Sequence, residues 1–157
     1  MYRVLQDWNN LAAGCFAETW LSGAGPFGIH NPRIHLDVLP LAHSIVSTHD
    51  AFQDHPWPII FREMDRSYPG EKFILTVRDE KAWIRSVLSH FGHQSTELRR
   101  WVYGKGSPKS NEQIYLRRYR QHNAEVREYF RERRDDFLEM NFGRGLSGRF
   151  LRWHETS

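Results

Sequence analysis

The spacing of apolar residues changes character near residue 50. Before that point the pattern is loose. Val4, Leu5, Trp8, Leu11, Ala12, Cys15 and Phe16 recur at roughly helical intervals and predict an amphipathic helix from Val4 to Leu21. The helix runs into SGAGPFGIHNPR, with three glycines, two prolines and an Asn, which is turn chemistry. IHLDVLPLAHSIVS then alternates loosely and predicts a short strand near Ser44 to Ser47.

From Asp50 onward the periods are clear. DAFQDHPWPIIFREMDRSYPG reads as a loop, then a helix started by Pro58 and stopped before Pro69-Gly70. Its buried face would carry Ile60, Phe61, Met64 and Tyr68. KFILTV is a continuous run of β-forming residues, the pattern of a parallel strand covered on both faces. Asp79 is placed to cap the next helix, along which Trp83, Ile84, Val87, Leu88 and Phe91 form one apolar stripe. After the polar segment YGKGSPKSN, a long helix is expected from about Glu112 to Arg133. Its apolar line is Tyr115, Tyr119, Val126 and Phe130, with His122 and Asn123 in the middle. DFLEMN closes the series as a strand. Helix, strand, helix, helix, strand predicts an α/β layer fold, helix-rich, with a small parallel sheet.

Composition narrows the class. A chain of 157 residues with 39% hydrophobic and 14% aromatic residues has the bulk for a folded core within a single domain. No run approaches the length of a membrane span, and no basic stretch precedes an apolar one at the N-terminus. The single cysteine, Cys15, cannot close an internal disulfide, which fits a cytoplasmic setting. The net charge of +3 suits anionic partners without choosing among them.

Four constellations carry candidate chemistry. At the end of KFILTV, Arg78 offers a planar fork of donors beside the start of a helix, where free N–H groups attract anions. Ser86 follows eight residues later, nearly below Asp79 on the helix, so a phosphate along that face would meet both. The plain alternative is a surface Arg, a structural cap and a solvated Ser. GAGPFG (Gly23 to Gly28) matches a dinucleotide fingerprint in letters only, since no strand precedes it and Pro26 removes a donor. Seven arginines and four glutamates interleave between Glu112 and Arg134. Alternating signs read as a salt-bridged face, and the glutamates argue against nucleic-acid binding. Finally, His43, His49 and Asp54 are candidates for a general base. Their spacing matches no standard metal site, and no metal is expected.

DAFQDHPWPIIFREMDRSYPGEKFILTVRDEKAWIRSVLSHF, WVYGKGSPKSNEQIYLRRYRQHNAEVREYF and DFLEMN together resemble bacterial sulfotransferase-family proteins. The resemblance runs from about 50 to 141, leaving 1–49 and 142–157 as divergent ends of one sulfotransferase-like domain. It implies an incomplete P-loop-like three-layer fold. It also implies transfer of a sulfuryl group from 3′-phosphoadenosine 5′-phosphosulfate to a hydroxyl or amine of a small-molecule acceptor. Arg78 and Ser86 correspond to the pair that binds the donor's 3′-phosphate in that family. The family's Lys-Thr-Gly-Thr-Thr-like loop, which cradles the phosphosulfate, has no counterpart in the chain. Two further readings therefore stay open: a nucleotide-binding module without transfer activity, and nucleic-acid binding through the Arg-rich helix.

Overall fold

The computed structural model describes residues 38–141 together with the backbone of a two-residue strand at Val4–Leu5. The element order is β1 (Val4–Leu5), α1 (Leu39–Val46), β2 (Ala51–Phe52), α2 (Trp57–Ser67), β3 (Phe73–Val77), α3 (Glu80–Phe91), α4 (Glu97–Tyr103), α5 (Glu112–Tyr129) and β4 (Phe137–Asn141). The fold is α/β and helix-rich, with parallel strands paired as β1–β2 and β3–β4. Among the described residues no helix is long and apolar enough to cross a membrane. The chain forms two compact units, 1–69 with 95–106 and 70–94 with 107–157.

In the first unit two expectations are corrected. Val4–Leu5 is a strand rather than the start of a helix, because its backbone pairs in register with Ala51 and Phe52. The rest of the expected Val4–Leu21 helix and the GAGPFG turn lie outside the described residues. The segment expected as a strand near Ser44 to Ser47 belongs mostly to helix α1. Pro40 sits in the first turn, where its missing N–H costs nothing. Val38 and Ala42, four residues apart, are both buried, so a helical period overrides the loose alternation.

Helix α2 follows its sequence pattern. Pro58 stands in its first turn, and Trp57, Ile60, Phe61, Met64 and Asp65 are buried along one stripe. Tyr68, expected on that face, is half-buried at the C-cap. Helix α4 is capped at both ends. Thr96 accepts from Arg99 N, and Gly104 takes the left-handed conformation (φ 77°) while its N–H bonds Arg100 O at 2.7 Å. Trp101 and Val102 are its buried residues.

The second unit holds the β3–β4 pair. The register Phe73↔Phe137, Leu75↔Glu139 and Val77↔Asn141 puts these six residues on one face. Phe130, just past α5, packs on that face. Its ring stacks on Phe137 at 5.2 Å and lies 4.9 Å from Phe73, and it is 1% exposed. Burying such a side chain contributes about 1.5–3 kcal/mol. The other face is not fully covered: Ile74 is 47% exposed and Thr76 is exposed, so β3 alternates rather than being buried on both sides. Helix α5 presents Tyr115, Leu116, Asn123 and Val126 as its buried residues and ends at Tyr129 rather than at Arg133. Helix α3 has no fully buried residue. Its stripe is half-covered, with Trp83 stacked on Tyr119 of α5 at 4.3 Å.

Candidate functional site

The β3–α3 junction is built as its residues suggest. Asp79 is the N-cap of α3, with its carboxylate accepting from Ala82 N at 2.9 Å. The junction is also tied from across the unit, which the sequence did not signal. Tyr119 Oη accepts from Arg78 N at 2.9 Å and donates to Arg78 O at 3.0 Å. Helix α5 therefore fixes the backbone from which the Arg78 side chain starts, while Trp83 stacks over the same Tyr119 ring.

Around this junction lies an open cleft of about 700 Å³. It sits at the carboxyl ends of β3 and β4, marked by Val77 and Asn141. The first turn of α3 (Asp79, Glu80, Ala82) and the inner side of α5 (Tyr119, Arg120, Asn123, Arg127) complete it, with Glu139 of β4. Parallel strands with a following helix commonly collect ligands at this edge, because strand ends and helix N-termini leave polar backbone groups there.

Three arginines line the cleft, and two are already neutralised. Arg120 donates to Glu80 through Nε at 2.8 Å and through a second bond from Nη2. Arg127 makes a like pair with Glu139 at 2.7 and 2.9 Å. The Arg120 hydrogen bonds hold the Glu80 carboxyl below the usual carboxylate range, and those from Arg127 do the same for Glu139. Both guanidiniums are raised in turn by their carboxylate partners. Arg78 differs: it is exposed, and its guanidinium makes no hydrogen bond or ion pair with the described residues.

Ser86 lies two turns down α3, half-buried, and is not part of the cleft lining. Its hydroxyl makes no hydrogen bond with the described residues, while its carbonyl lies 2.8 Å from His90 Nδ1. The three base candidates belong to the other unit. His43, on α1, is exposed, with Nδ1 2.8 Å from Tyr68 Oη. His49 Nδ1 is 2.8 Å from Thr48 Oγ1, and its ring lies 6.0 Å from Phe52. Asp54 is exposed in a turn with φ 64°, a conformation that Asp tolerates better than most residues. Among the described residues no group of three or more His, Cys, Asp or Glu is placed to hold a metal ion.

Residues 38–110 match the sulfotransferase domain family, somewhat less than half of the chain's 157 residues. The match starts earlier than the sequence pattern alone suggests, taking in α1, and contains β3, Arg78, Asp79 and α3 with Ser86. It ends before α5 and β4. The resemblance to the sulfotransferase family is thus shown over this segment. No curated protein matches the chain.

Proposed function

We propose that the chain binds 3′-phosphoadenosine 5′-phosphosulfate through Arg78 and Ser86 and passes its sulfuryl group to a hydroxyl or amine of a small-molecule acceptor. One observation carries this reading: of the three arginines in the cleft, Arg78 alone has no carboxylate partner among the described residues. A phosphate gains most from a cation that is not already neutralised, and a bidentate guanidinium matches its geometry. The Asp79 cap and the Tyr119 tether hold the backbone of Arg78, so little ordering cost remains beyond that of the side chain. The unbonded Ser86 hydroxyl adds a donor farther along α3. These groups fit a 3′-phosphate.

In the transfer, the acceptor oxygen or nitrogen forms a bond to sulfur as the bond from sulfur to the donor's phosphate oxygen breaks. The acceptor's proton passes to a base, and 3′,5′-bisphosphoadenosine leaves. His43, His49 and Asp54 are our candidates for that base. Positioned cations and N–H donors stabilise the charge that spreads over the oxygens, each worth about 2.7–4 kcal/mol. The single cysteine fits a reducing compartment, and we place the protein in the bacterial cytoplasm on the same reading.

A second reading, a nucleotide-binding module without transfer, is favoured by the sequence having no Lys-Thr-Gly-Thr-Thr-like loop. Nucleic-acid binding through the Arg-rich segment 112–134 loses ground, because Arg118, Arg120, Arg127 and Arg131 are all paired with glutamates. Calorimetric titration with 3′,5′-bisphosphoadenosine tests the donor site. Saturable binding that Arg78→Ala weakens at least about tenfold is expected, and binding unchanged in a folded Arg78→Ala protein would overturn the assignment. Sulfate transfer to an acceptor separates the enzyme from the module.

A further inference from the structure

Asn123 is 5% exposed, yet it lines the cleft and its carboxamide makes no hydrogen bond with the described residues. It stands on the buried face of α5, between Tyr119 and Val126, where an apolar residue would complete the stripe. Neither polar atom of this amide is fully enclosed, so the carboxamide opens onto the cleft, and a polar side chain kept on an otherwise apolar face there calls for a reason. The walls of the cleft narrow the answer. Glu80 with Arg120 and Glu139 with Arg127 are charge-balanced pairs, and the remaining Arg78 charge is offset by the neighbouring Asp79 carboxylate that caps α3, so the lining carries no net charge. Of the lining side chains only Val77 and Ala82 are purely apolar, so an apolar ligand would strip water from charged groups and gain few apolar contacts in return.

We propose that Asn123 is a binding residue whose carboxamide hydrogen-bonds a neutral small molecule rich in hydroxyl or amide groups, seated in the cleft. A carboxamide offers both a donor and an acceptor at any working pH, which suits a ligand group that does the same. The volume is within the range of small-molecule sites. The binding claim stands on the cleft alone; that this ligand is the sulfuryl acceptor rests on the function proposed above.

The test uses the full chain, isotope-labelled for NMR and titrated with N-acetylglucosamine, glucose and acetamide, with phenol as the apolar control. Wild type is compared with Asn123→Leu. The polar probes are expected to shift amides of the first turn of α3 and the middle of α5, and Asn123→Leu is expected to weaken their binding about tenfold. Its melting temperature should stay the same or rise, because an unpaired amide is replaced by an apolar side chain. Should the Leu variant fail to fold, Asn123→Ala removes the same carboxamide without added bulk. Absence of shifts with all three polar probes overturns the proposal. So does phenol binding as tightly as they do, or a variant that loses stability and keeps binding. Titrating 3′,5′-bisphosphoadenosine into the same samples keeps the two ideas apart: no nucleotide binding with Asn123-dependent polar-probe binding would sink the donor site and leave this one standing.

Discussion

In the unit of α1, α2 and α4, the candidate histidines lie against near neighbours. His43 sits beside the Tyr68 hydroxyl, and His49 beside Thr48 and the Phe52 ring. In the unit of β3, α3, α5 and β4, Glu80 and Glu139 at the cleft are matched by arginines and Asp79 caps a helix, while Arg78 and Asn123 keep side-chain hydrogen-bonding groups without partners among the described residues. A residue type with catalytic potential is common in both units. The difference is what the surrounding fold leaves unsatisfied, because an unpaired polar group at a cleft is stabilised only when something else arrives to pair with it.

The largest effect is expected in the core that holds the second unit together. Phe130→Ala removes a ring packed over the neighbouring Phe73 and Phe137 and should cost about 3–5 kcal/mol in urea unfolding. A loss below about 1 kcal/mol would mean that the β3–β4 face is not anchored there. Next comes Arg78→Ala, which should weaken 3′,5′-bisphosphoadenosine by about 1.5–3 kcal/mol, the worth of charge-assisted bonds. His43→Ala, its counterpart in the first unit, should leave that affinity unchanged. Equal losses from both would erase the distinction between the units.

Tyr119→Phe sharpens the same contrast. It deletes both bonds to the Arg78 backbone and should cost about 0.5–1.5 kcal/mol of stability, with weaker nucleotide binding although Arg78 itself is intact. The smallest expected effect is electrostatic. Arg127 holds Glu139 below its usual range, so the stability contributed by this pair is complete above the unfolded carboxylate value. It fades as pH falls through the lower folded value. The pair is substantially exposed, side chains at 48% and 36%, so solvent screening limits it to about 0–1 kcal/mol. Glu139→Gln should flatten that part of an acid-unfolding profile, and a variant with the wild-type profile would show the pair to be inert.

Local signals in the sequence decided much of this protein. Pro58, the FILTV run, Asp79 and the periodic stripe after it specify α2, β3 and α3, because propensity, capping and period act over a few residues and agree there. Arg78 at the strand end was readable for the same reason. Where local signals conflicted, tertiary structure chose. Ser44 to Val46 went into a helix through the burial of Val38 and Ala42, and Val4–Leu5 went into a strand through pairing with residues far along the chain. The cleft itself could not be read in advance. Glu80 meets Arg120 and Glu139 meets Arg127 only after β4 pairs with β3 and α5 packs beside them. One trace of it did show in the sequence, an Asn in the apolar line of α5. Only the folded chain reveals that this nearly buried side chain opens onto a cleft and has no hydrogen-bond partner among the described residues, because what an amide can bond depends on everything around it.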